Sequence, residues 1–109
     1  MTLATVFLFG QALLAGQFLS GAYRALDLHR ANAFLAEVMV VISAVGAFVD
    51  ARARGGPRWP PLVCTGLVVA VGVQIRLGLN RELAVHIPLG VAIIATAALL
   101  LQEAWRTSP

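Results

Sequence analysis

Residues 17–29, QFLSGAYRALDLH, and residues 74–86, QIRLGLNRELAVH, are two copies of one pattern, and the fold is read from the pair. Aligning the protein's two histidines, His29 and His86, sets an offset of 57 residues. Gln17 then matches Gln74, Gly21 matches Gly78, Arg24 matches Arg81 and Leu26 matches Leu83. Most of these identities are polar residues in an apolar chain. An internal repeat dictates architecture. This one predicts two similar helical hairpins, about residues 1–50 and 59–106, facing each other and presenting one histidine each.

The surrounding composition says where those hairpins reside. The chain of 109 residues is a single domain, 60% hydrophobic and only 12% charged, with a mean hydropathy of +0.87. An ordinary soluble domain is about 25% charged. The expected fold class is therefore all-α, a transmembrane four-helix bundle in contact with membrane lipid. All eight basic residues are arginine, dispersed at the edges of apolar spans, so the net charge of +3 is not a nucleic-acid footprint. The single Cys64 lies in an apolar run and reads as a small packing residue.

Four spans follow in order. Met1 to Tyr23 carries no charged side chain, enough to cross roughly 30 Å of hydrocarbon at about 1.5 Å per residue. It lacks the basic start of a signal peptide, so it is expected to be retained. Ala12, Gly16 and Ser20 form a small-residue stripe along it, suited to a close helix contact or a homodimer. The second span starts near Asp27, a candidate cap, and runs to Val49, with Glu37 inside it. Intramembrane acids usually face the bundle interior or water; Glu37 is either a protonated structural acid or a proton-handling one. The Gly- and Pro-rich loop from Asp50 to Pro61 holds Arg52, Arg54 and Arg58. By the positive-inside rule it is cytoplasmic, as both termini then are. The third span covers about Pro61 to Leu79, with Gly66, Ala70, Gln74 and Gly78 in a second stripe. The fourth covers about Leu83 to Ala104, and Pro88 is expected to leave His86 at the mouth of the helix rather than inside it.

The second and fourth spans run in the same direction, so both histidines begin on the face opposite the arginine-rich loop. His29 lies 21 residues before Asp50 and His86 17 before Glu103, roughly 31 and 26 Å of helix, so the imidazoles sit at similar shallow depth. Two neutral imidazoles on opposite sides of a four-helix bundle are what bis-histidine haem ligation requires. On that reading His29 and His86 are the metal ligands of a haem b. Ala33 and Gly90, one turn below, leave room for the macrocycle. Arg24 and Arg81 at the aqueous edge either bind the two propionates or act as plain interfacial anchors. Gln17 and Gln74 read as interhelical hydrogen-bonding partners.

The stretches LDLHRANA (residues 26–33) and LAVHIPLGVAI (residues 83–93) resemble one half of heme A synthase. Members of that family have eight spans in two four-helix halves, each with a histidine pair on its second and fourth helices. The resemblance covers most of the chain and implies that His29 and His86 ligate haem iron. The family's functional glutamate three residues before the first histidine is here Leu26, the nearest acid being Asp27. Its paired loop cysteines and its second half are absent. Haem binding is thereby implied more strongly than haem oxidation.

The function expected is an integral-membrane b-type haem protein of a bacterial-type plasma membrane, acting in electron transfer or haem handling with a redox or haem-handling partner, and not a complete enzyme by itself. Two other classes stay open. A small proton-coupled multidrug-type exporter would use Glu37, although such exporters place that acid in the first span. A cofactor-free accessory subunit of a membrane complex would use neither histidine chemically.

Overall fold

Each apolar stretch forms one helix, and each break between them has a local cause. The computed structural model describes residues 1–108, with α1 Thr2–Leu19, α2 Ala25–Arg54, α3 Trp59–Leu79 and α4 Leu83–Arg106. All four are long and apolar enough to cross a membrane. Gly55 ends α2 in the left-handed conformation at φ 64°, where a side chain would meet its own backbone. Pro60 and Pro61 occupy the first turn of α3, where a missing N–H has no partner to lose. The 30 residues of α2 span about 45 Å, more than the hydrocarbon needs. Its last turn, with Arg54 paired to Asp50 at 2.7 Å, belongs to the aqueous edge.

The helices close into a ring in chain order. α1 packs on α2, α2 on α3, α3 on α4 and α4 on α1, while α2 and α4 face each other diagonally. The bundle measures 48 × 23 × 19 Å. Thr5 near the start of α1 donates to the Ala97 carbonyl toward the end of α4, so both termini and the Arg52–Arg58 loop share one end. The two short hairpin turns share the other.

Small residues set the interior. Ala36, Val40 and Ala97 are wholly buried, joined by Cys64, Leu67 and Val71, and no polar residue belongs to the fully buried core among the described residues. The outward side is as apolar as the core. On α1 Leu3, Val6, Phe9 and Leu13 are each about 60% exposed, at three- and four-residue spacing along one helix face. A bundle that turned that face to water would carry an exposed apolar patch beyond what soluble monomers tolerate. The lipid-facing surface and the close-packed centre together make this a membrane four-helix bundle.

Candidate functional site

The histidine end of the bundle is organised by the two short turns. α1 and α2 are joined by residues 20–24, with Gly21 at φ 99°; α3 and α4 are joined by residues 80–82, with Arg81 at φ 60°. α2 begins at Ala25, earlier than Asp27, which sits in the first turn without capping it and faces Arg30 at 4.0 Å. His29 follows one turn into α2. His86 lies inside the first turn of α4, because its own N–H closes a bond to Glu82 O at 2.9 Å. The helix therefore starts before Pro88 rather than at it. The proline falls where its absent N–H costs a single bond, to the Ala84 carbonyl.

The two imidazoles meet across the diagonal. Their ring centroids are 6.3 Å apart and their planes are inclined at 69°. Each is tethered by the nitrogen nearer its own backbone. His29 Nδ1 lies 3.1 Å from Gln11 O, and His86 Nδ1 lies 2.9 Å from Gln74 O. A main-chain carbonyl only accepts, so each Nδ1 carries the proton and donates it. In a neutral imidazole held this way Nε2 keeps the lone pair, the arrangement of a metal-bound histidine whose other nitrogen donates to a carbonyl.

The two tethers are unequal. Gln74 holds α4 twice, since its side-chain amide also donates to His86 O at 2.7 Å. Gly90 makes that possible: a Cβ built there would stand 2.8 Å from Gln74 Nε2. The space beside Gly90 thus holds the Gln74 carboxamide. Gly78 lies against the His86 ring, where a Cβ would come within 2.9 Å of Cε1. Around His29 the bonds are arranged differently. The Gln11 side chain does not bond to α2, and its Oε1 is buried without a donor. One turn further along, Asn32 donates to Phe7 O at 2.8 Å. Gln11 and Asn32 were not singled out by the repeat, because neither has a polar counterpart 57 residues on; Val68 and Leu89 stand there.

Of the other residues read from the sequence, Gln17 is exposed and Gln74 half-buried, so only the second makes an interhelical bond. Ala33 is half-buried one turn below His29. Arg24 and Arg81 are both exposed at the turn end, and the ion pairs among the described residues, Arg30–Asp27, Arg54–Asp50 and Arg106–Glu103, use neither. An apolar groove between α3 and α4, lined by Gly66, Ala70, Leu89 and Ile93, contains neither histidine.

Searched against family models, curated proteins and solved structures, the chain matches none. The chemistry of the site therefore rests on its donor set. Among the described residues no group of three or more His, Cys, Asp or Glu side chains is close enough to hold a metal ion. Two imidazoles alone fall short of the four ligands of a closed protein metal site. They suit a metal that brings its own equatorial ligands, which is what a porphyrin does.

Proposed function

We propose that the protein is a membrane b-type cytochrome-like carrier that binds one haem between His29 and His86 and serves electron transfer or haem handling. The observation that carries the reading is the 6.3 Å centroid separation of two Nδ1-tethered imidazoles on diagonal helices. His29 and His86, approaching from two diagonal helices, would hold the iron between them, and their separation is in the range that two imidazoles sharing one metal ion require. An edge-to-face imidazole pair without a metal falls in the same range, so the experiment has to look for the iron. The resemblance to one half of heme A synthase in residues 26–33 and 83–93 supports the same reading. When bound, the haem supplies one-electron chemistry; the chain supplies the two ligands, their tautomers and an apolar surround.

The test is reconstitution of the purified full chain with haemin, followed by absorption and electron paramagnetic resonance spectra. Wild type should be six-coordinate and low-spin without added ligand. A folded protein that stays colourless would sink the reading.

Orientation and partners belong to the same proposal. The Arg52–Arg58 loop and both termini lie on the cytoplasmic side, with the histidines near the outer face. A cysteine replacing Gly56 should then resist an impermeant thiol reagent in intact cells, and labelling there would reverse the topology. A single haem near one face cannot carry electrons across the bilayer, so a redox or haem-handling partner completes the path. The stripe Ala12, Gly16 and Ser20 points out of the bundle and is free to serve a homodimer; native mass spectrometry showing one chain per particle would remove that contact.

A further inference from the structure

Glu37 is the acidic side chain inside the bundle, and the haem reading leaves it unused. It lies eight residues beyond His29 on α2, about 12 Å along the axis. Helical side chains lean toward the N-terminus, so its carboxyl is carried back toward the histidine level. It faces α3, where a Cβ built on Gly72 would stand 3.9 Å from Oε1. Its other oxygen, Oε2, is buried and accepts no hydrogen bond.

The ionisable groups on the elements around it do not answer that carboxyl. α1 contributes only the amino group of Met1; α3 contributes Cys64 and Arg76; and α4, across the diagonal, contributes His86, Glu103 and Arg106. On α2 itself Asp27 faces Arg30 and Asp50 pairs with Arg54, while Arg52 lies 4.9 Å from the Phe48 ring centre. No ion pair among the described residues includes Glu37.

Two further atoms share its condition. Gln11 Oε1 on α1 and Gln74 Oε1 on α3 are also buried without a donor, and the carbonyls of these same two residues hold the histidines. Three helices thus each carry one interior oxygen without a donor: Gln11 Oε1 on α1, Glu37 Oε2 on α2 and Gln74 Oε1 on α3. Buried acceptors in a native interior are normally satisfied. What each lacks is a donor, which a proton would supply at Glu37 and water at the amide oxygens.

We propose that Glu37 is the proton-binding group that offsets the electron taken up by the centre between His29 and His86. The proposal rests on the haem reading. A haem held by His29 and His86 would supply one-electron chemistry, taking one electron from a one-electron donor, the redox partner. One proton from the aqueous phase binds a carboxylate oxygen of Glu37, forming an O–H bond and leaving a neutral acid. The proton comes from a hydronium ion, whose O–H bond breaks to leave water, and the interior gains no net charge. In a low-dielectric interior an uncompensated charge is costly, so electron and proton are held more firmly together than apart.

The experiment is an electrode titration of the haemin-loaded full chain at a series of pH values, with infrared difference spectra between the oxidised and reduced forms. The wild-type midpoint potential should fall as pH rises, by up to about 59 mV for each tenfold drop in proton concentration. Reduction should bring up the C=O stretch of a protonated carboxyl. Glu37→Gln should keep the haem spectrum but lose both the slope and the band, and Glu37→Asp should keep them. A wild type with a haem spectrum but a flat potential and no band overturns this proposal and leaves the haem reading standing. A slope unchanged in Glu37→Gln places the proton elsewhere and also overturns it. If Glu37→Gln does not fold, the wild-type band and the Glu37→Asp slope decide. A chain that binds no haem removes both proposals.

Discussion

The hairpin that carries His86 is clamped by two bonds between one residue pair, whereas the hairpin that carries His29 is held by two bonds one turn apart, at His29 and at Asn32. Eleven residues separate Gln74 from His86 and seventeen separate Gln11 from His29, because α1 runs further past its histidine partner before turning and its link is longer. The tighter α3–α4 turn forces Arg81 into the left-handed region, brings Gly78 against the imidazole and lets Gln74 bond to α4 through both main chain and side chain. The longer α1–α2 turn puts its positive φ on Gly21, where it is tolerated, and the Gln11 amide oxygen is left unmatched. Two segments with five identities in thirteen positions have thus become different devices for holding the same side chain.

The largest expected effect tests whether the two histidines contribute equally to the proposed haem site. His29→Ala and His86→Ala should each turn a six-coordinate low-spin spectrum into a five-coordinate or haem-depleted one, with the four spans still inserted. The double variant should bind no haem at all. The clamp predicts an order between the singles. With His86 retained, the remaining ligand is rigid, so His29→Ala should keep more haem than His86→Ala. Equal retention would mean that the clamp does not reach the iron; an unchanged spectrum in the double variant would place the ligands elsewhere.

Next in size are glycines that the repeat treats as background. Gly78→Ala drives a methyl into the His86 ring, which has no free end to swing away; overpacking of this kind costs about 1–3 kcal/mol. Gly16 has nothing within 4 Å of an added Cβ, so Gly16→Ala should instead stabilise the helix by about 0.5–1 kcal/mol. Thermal unfolding in detergent, with and without haemin, measures both. Destabilisation by Gly16→Ala that varies with protein concentration would reveal a dimer contact through the outward stripe.

A smaller effect isolates the Gln74 amide. Gln74→Ala removes a donor to His86 O, a loss of about 1 kcal/mol, whereas Gln11→Ala removes an amide whose oxygen is already unmatched and should be close to neutral. Gly90→Ala should cost about as much as Gln74→Ala, since its methyl displaces the same flexible amide. The two changes combined should cost little more than either alone, because they break one interaction. Additivity would show that the Gly90 cradle has another purpose.

These contrasts also explain what could be read from the chain and what could not. Four apolar spans, their order and their membrane character were legible because span length and charge placement are properties of single helices. So was the meeting of His29 and His86, since the second and fourth helices of a bundle must run parallel. The partners of the histidines were not. Gln17 matches Gln74 in the repeat yet points outward, because three residues of extra helix in α3 and a shorter turn rotate one hairpin relative to the other. Helix rotation of that kind depends on how neighbouring helices seat against each other, which no residue pattern within one helix records. Gln11 could have been suspected only as a second polar interruption of α1. Gly90 was read as room for a macrocycle, while in the structure its space holds an amide from α3, a contact between helices that share no sequence periodicity.

The smallest effect separates the two arginines. Arg24 lies at the start of α2 with φ −61°, an ordinary helical value, while Arg81 is the non-glycine residue with positive φ among the described residues, at 60°. A side chain in the left-handed region costs about 1–2 kcal/mol that glycine avoids. Arg81→Gly should therefore raise the unfolding midpoint of the haem-free protein, and Arg24→Gly, at a helix N-cap where glycine is well tolerated, should leave it nearly unchanged. Haem retention should move the other way. If both guanidiniums hold propionates, either substitution removes a charge-assisted bond, and haem should pass faster to a scavenging globin from both variants. The protein would then be made more stable and less able to keep its cofactor by a single change at Arg81. If Arg81→Gly stabilises the fold and leaves the transfer rate untouched, that arginine is a strained interfacial anchor, and the propionates are held by other groups.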